Sequence, residues 1–110
     1  MKKVLVIKIN EKFEGEALRE RAEKAWKINP KRLDEVDYVI VLNEYKVLAE
    51  YVLGENVIYH LSGVDKGRVE LILNDIKEPR EFTFIGESIG YRTSNPCTIK
   101  TEKELKELIM

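Results

Sequence analysis

Glutamine is absent from the 110 residues, and cysteine, histidine and tryptophan occur once each. One cysteine excludes an internal disulfide and points to a reducing compartment, and one histidine beside it cannot complete the four-ligand shell of a structural zinc. No cofactor or metal is therefore expected. Neither G-x-x-x-x-G-K-[ST] nor G-x-G-x-x-G occurs, so a nucleotide-hydrolysing enzyme is not expected either. Long hydrophobic runs are missing too. The opening MKKVLVIKIN is too short for a signal peptide, contains Lys8 and lacks a small-residue cleavage site, so it reads as a first strand. No membrane association is expected, and the expected location is the cytoplasm. A strong charge of one sign is also lacking: the net charge of −1 excludes a general attraction to polyanions, so any nucleic-acid contact must be local. Glutamine's absence alongside abundant Glu and Lys is a composition reported for hyperthermophilic proteins.

What remains is an ordinary globular composition, 44% hydrophobic and 35% charged, of a length that fits one domain over residues 1–110. Lys3 to Ile9 is rich in Val, Ile and Leu and reads as a buried strand. Leu18, Ala22, Ala25 and Trp26 follow at i, i+4, i+7 and i+8, the spacing of one face of a helix over Glu16 to Ala25. Asn29-Pro30 is a helix start, with Asn as N-cap and Pro in the first helical position. Asp37–Leu42 and Lys46–Leu53 read as an antiparallel hairpin joined at Asn43-Glu44-Tyr45. Val57–Leu61, Arg68–Leu73 with Val69, Leu71 and Leu73 alternating inward, and Arg80–Ile85 with Phe82 and Phe84 inward are further strands. Ser88 to Pro96, with Gly90, Ser94 and Asn95, is a loop or irregular edge, and Cys97–Lys100 is a short strand. Thr101 and Glu104 form a T-x-x-E capping box before a terminal helix carrying Leu105, Leu108 and Ile109.

Chemistry is sparse. Cys97 with His60 is the one nucleophile–base combination, and a buried thiol beside a strand histidine is its ordinary structural counterpart. A denser cluster lies after the first helix, where Lys24, Trp26, Lys27, Asn29, Lys31 and Arg32 fall within nine positions and Tyr38 follows. Trp and Tyr can stack on a base, Lys and Arg can hold phosphates, and Asn can contact a base edge. The competing structural reading has Trp26 closing the core at the helix end with the lysines solvated, and it stands ahead for Trp26 itself because Trp is highly buried on average.

The order Trp26, Asn29, Arg32, Leu33, Asp37, Tyr38, a strand hairpin and then Arg80-x-Phe82-x-Phe84-x-Gly86 resembles a small prokaryotic domain family with a Trp-x-x-Asn-x-x-Arg segment. More distantly, the Trp-led turn followed by Leu-x-x-Val-Asp is similar to the entry into PUA-like β-barrels, including the EVE and YTH readers of modified bases. This chain lacks the Gly that precedes Asp37 in the EVE pattern. The resemblance implies an aromatic pocket near Trp26, Asn29 and Tyr38.

The expected architecture is a single α+β domain: a curled, mostly antiparallel sheet, PUA-like or a related barrel, with two flanking helices. The expected function is a non-enzymatic module binding single-stranded or flipped-base nucleic acid. Trp26 and Tyr38 would stack, Asn29 would read a base edge, and Lys27, Lys31 and Arg32 would contact phosphates. A homodimer or protein-interaction domain joined through Tyr45, Leu48 and Tyr51 is the first alternative, and a small hydrolase using His60, Cys97 or a buried carboxylate is the second.

Overall fold

A strand that is apolar at nearly every position must be covered on both faces, and that requirement organises the molecule. The computed structural model describes residues 2–24, 26–55, 57–64, 66–78, 80, 82–90 and 96–110. Strands β1 (Lys3–Ile9) and β2 (Tyr38–Asn43) lie side by side in parallel, Val4 opposite Tyr38 and Ile9 opposite Asn43. β3 (Lys46–Leu53) returns antiparallel to β2, β6 (Leu73–Asn74) pairs antiparallel with the end of β3, and β7 (Cys97–Thr101) pairs antiparallel with β1. The sheet is therefore mixed, in the order β6-β3-β2-β1-β7. Antiparallel pairings predominate as expected, but the central pair is parallel and the sheet stays open rather than closing into a barrel. The parallel step was hidden because its crossover is made by α1 (Gly15–Glu23) and a 3₁₀ helix (Pro30–Glu35), each read from the sequence as a separate local element.

Each face of the sheet carries its own core. Leu5, Ile7, Val39, Val41 and Tyr51 meet Leu18 and Ala22 of α1, together with Trp26, Leu33, Val69, Leu71 and Leu73. On the other face Val4, Val6, Ile40, Leu42 and Val47 meet Phe84, Ile89 and Leu105 of α2 (Glu102–Glu107). The two helices thus flank opposite faces, and the Cα radius of gyration of 13.3 Å is that of a compact chain of this length.

Most local signals hold. Asn29 Oδ1 accepts the Lys31 N–H at 3.0 Å, Pro30 opens the 3₁₀ helix, and the Thr101–Glu104 capping box is complete in both directions. Val69, Leu71 and Leu73 are all buried, although they do not share one strand: β5 (Val69–Glu70) pairs with β4 (Ile58–Tyr59) in a separate hairpin, Leu71 lies between strands, and Leu73 belongs to β6. α1 stops at Glu23, and Trp26 instead forms an isolated antiparallel bridge with Val69. The Arg80–Ile85 strand is not formed among the described residues: Phe84 is fully buried and Phe82 partly so, but the Phe84 N–H is satisfied by the Glu50 carboxylate rather than by a neighbouring strand. The expectations for Ala25, Glu81, Ser94 and Asn95 lie outside the described residues.

The β2–β3 hairpin turns through Glu44 and Tyr45 with Asn43 opposite Lys46, and Glu44 sits at φ +57°. A side chain in that left-handed region costs about 1 kcal/mol that glycine would not. Glu44→Gly is expected to raise stability by about 1 kcal/mol and Glu44→Val to lower it, read as opposite shifts of the urea midpoint. At the other end, the Glu104 carboxyl is held below its ordinary 4.5, first by the Thr101 backbone N–H that it accepts. A carboxyl whose pKa falls on folding stabilises the fold above its unfolded pKa, and that contribution is lost as pH drops through the folded one. Protection factors of the amides in the first turn of α2, corrected for the intrinsic exchange rate at each pH, are therefore expected to fall on acidification below about pH 4.5, a dependence that Glu104→Gln should abolish.

Candidate nucleic-acid interface

The segment after α1 is shaped by carbonyls that the helix leaves unpaired. The Trp26 indole Nε1–H donates to Ala22 O at 2.7 Å, Leu71 N–H donates to Glu23 O at 2.8 Å, and Arg21 Nη1 donates to Lys24 O at 2.7 Å. Trp26 N–H and Val69 N–H then exchange bonds with each other's carbonyls, both at 2.8 Å. The ring is 5% exposed with the Arg21 guanidinium 4.8 Å from its centroid, so it serves the core and the helix end and offers no face to a base.

The six residues expected to share one surface are dispersed. Tyr38, at the start of β2, is half-buried under the Arg80 guanidinium, 3.7 Å from the ring centroid, and lines a different crevice of about 550 Å³ with Val52 and Ile76. Arg32 lines a third concavity with Lys3 and Glu35, while Lys31 is exposed and contributes its backbone N–H to the Asn29 cap. Lys27 and Asn29 remain together. They line a shallow cavity of about 350 Å³ with Ile28, Pro30, Gly67 and Tyr59.

Tyr59 is the residue that sequence reasoning passed over. It stands on β4 directly opposite Val69, whose other side is bridged to Trp26, so one residue of β5 sets the spacing between the Tyr59 strand and the Trp26–Asn29 segment. The ring is 48% exposed, and its neighbours Ile58, Leu61 and Val64 are exposed as well. The sequence carries little signal for it: Val57–Leu61 reads as a short strand with His60 its one polar residue, and nothing in that run marks which side faces solvent. Lys66 and Arg68 flank Gly67 in the return arm, where the His60 N–H donates to Arg68 O at 3.0 Å and the Gly67 N–H to His60 O at 2.9 Å.

The residues named for the two alternatives are placed differently from one another. Cys97 packs in the α1-side core and burial pushes its thiol up to about 12, so at neutral pH it is protonated and a poor nucleophile. His60 lies instead beside Glu70, Nε2 to carboxylate oxygen 3.5 Å. For the dimer reading, Tyr51 is buried, Leu48 is partly buried and Tyr45 is 41% exposed, and the outer edge of β3 is covered towards both ends: Val47 exchanges bonds with Glu87 O and the Gly86 N–H, and the Gly54 N–H donates to Ile72 O.

One buried carboxylate does exist. Glu50, its side chain 2% exposed, accepts from Phe84 N–H at 2.6 Å, Arg80 Nη1 at 2.9 Å and Thr83 Oγ1 at 3.0 Å, and Arg80 also reaches Glu102 at 3.3 Å. A register shift in β3 between the partners of Val41 and Leu42 lets both Val47 and Glu50 face the Phe84 side. With three donors on two oxygens, this carboxylate pins Arg80, Thr83 and Phe84, which form no sheet ladder among the described residues. Glu50→Ala is expected to cost about 3 kcal/mol or more, because it leaves Phe84 N–H, Thr83 and Arg80 short of a buried acceptor, and Glu50→Gln less; urea titrations of the two variants provide the check.

No protein-family model, curated protein or solved structure matches the chain.

Proposed function

We propose that the chain is a non-enzymatic binding module for single-stranded nucleic acid. Its contact surface is the cavity between the Lys27–Pro30 turn and the β4–β5 hairpin. The observation that carries this reading is the half-exposed Tyr59 ring facing a concavity that also holds Lys27 and Asn29. An exposed aromatic ring offers a base a stacking surface of either face-type regardless of sequence, and nearby cations offset the backbone charge. Lys27 lines the cavity and Lys66 stands next to its Gly67, a local positive charge on a chain whose net charge is −1. Tyr59 takes the stacking role first expected of Trp26 and Tyr38. The resemblance to PUA-like readers of modified bases agrees with an unpaired base as ligand, but the reading rests on the surface itself and not on a barrel.

Fluorescence anisotropy with short labelled oligonucleotides at low salt tests it. Tyr59→Ala is expected to weaken binding of single strands at least about fivefold, the low end of what one stacked base contributes, with an unchanged circular dichroism spectrum. Trp26→Phe, which keeps a buried ring, is expected to retain affinity while losing stability. Binding that survives Tyr59→Ala, or that favours duplex over single strands, would remove the assignment.

A further inference from the structure

Independently of the nucleic-acid reading, we infer that two copies of the chain associate through the free edge of β4, pairing their Val57–Leu61 runs antiparallel so that the two hairpins join in one four-stranded ribbon. Val69 gives both its N–H and its carbonyl to Trp26, so its pairing with Tyr59 carries no hydrogen bond and the Tyr59 backbone groups are turned the other way. His60 is bonded inward: its N–H donates to Arg68 O at 3.0 Å and its carbonyl accepts the Gly67 N–H at 2.9 Å. Val57 and Leu61 lie two positions either side of Tyr59, on the same outer edge. The Trp26 turn is bridged to the far side of β5 and does not cover this edge. The N–H and C=O groups of Val57, Tyr59 and Leu61 have no partner among the described residues, and such a row fits another extended strand.

The chemistry of the edge matches its own copy. Exposed strand edges are ordinarily blunted by lysine, other charges or proline, and Val57-Ile58-Tyr59-His60-Leu61 has no acid, lysine, arginine or proline. Ile58 and Tyr59 are each 48% exposed and Leu61 77%, so apolar surface stands on both faces of the run. A twofold axis at Tyr59 sets Tyr59 against itself, Ile58 against His60 and Val57 against Leu61, and it brings Glu55 opposite Gly63. No like charges meet in that register. Each copy uses its free edge on the other, so association closes at two chains. The shared run is short, which makes the pairing weak and concentration-dependent. Both Tyr59 side chains project from one face of the joined ribbon, which sets the two Lys27–Tyr59 cavities on the same side of the dimer.

Sedimentation equilibrium of the full chain, without nucleic acid, tests the pairing. The weight-average mass is expected to rise from that of one chain to that of two between about 10 μM and about 1 mM, the range of a small interface. Leu61→Lys places a charge on the edge at a side chain that is already exposed, and it is expected to hold the mass at one chain throughout with an unchanged circular dichroism spectrum. The register has its own readout. Ile58→Cys and His60→Cys chains, mixed and oxidised, are expected to cross-link to each other in preference to themselves, because those positions face one another at disulfide distance while Cys97 is buried. A single-chain mass at every concentration, a mass that climbs past two chains, association that survives Leu61→Lys, or cross-linking with no preference for the mixed pair overturns the inference. Each of these results leaves the single-strand reading standing, since no oligonucleotide is present.

Discussion

The reciprocal pair of hydrogen bonds between Trp26 and Val69 is the contact on which the arrangement of the Lys27–Tyr59 cavity depends. A helix that ends at Glu23 must place its last carbonyls somewhere, and the chain places them on its own tryptophan and on the backbone leading out of the hairpin. Glu23 is bound twice over, its carbonyl by the Leu71 N–H and its carboxylate by the Leu73 N–H at 2.9 Å. The end of α1, the Trp26 turn and β5 therefore form one joined unit, packed on the sheet through Val69, Leu71 and Leu73. Tyr59 reaches the Lys27–Pro30 turn because β4 is held to that unit by β5.

The opposite face is organised by a charge. An isolated ionised carboxylate is costly to bury, but one that accepts three hydrogen bonds, one of them from Arg80, can replace a strand partner. Phe82 and Phe84 meet edge to face at 4.9 Å on that side, and the Lys106 ammonium lies 4.8 Å from the Phe82 centroid. The 82–90 segment thus covers the sheet and touches its β3 edge through an isolated bridge, Lys46 to Ser88, rather than through a strand. Glu50 supplies the local specificity that repeating ladder bonds supply elsewhere.

How far the sequence could be read follows from how local each signal is. The capping box, the Asn29-Pro30 start, the span of β3 and the inward positions Val69, Leu71 and Leu73 are decided within a few residues and were legible. The parallel β1–β2 pairing was not, because it depends on which distant run lies alongside, and two doubly buried strands carry no face marking to say so. The departure of Trp26 from the helix was likewise decided by Val69, more than forty positions away. Lys27 and Asn29 are neighbours in sequence and line one cavity, but Tyr59, which joins them there, was not legible: a ring brought in by another element has no signature beside them in the sequence. Glu50 did leave a trace, as the one acid within an apolar strand.

The position of β1 has a consequence for how the chain acquires its structure. Its partners on one side come from β2, but those on the other come from β7, ninety or more positions later in synthesis. Until β7 emerges, one edge of a strand whose residues Val4 to Ile7 end fully buried is open to any extended segment that can supply hydrogen bonds. Closing such distant pairs is slow relative to forming helices and hairpins, so the growing chain passes through a period in which its most apolar strand is only half enclosed. Lys2, Lys3 and Lys8 bracket that strand. Positive charge at both ends of an apolar segment discourages like segments from pairing with it, which gives these lysines a purpose during biosynthesis that the finished fold no longer displays.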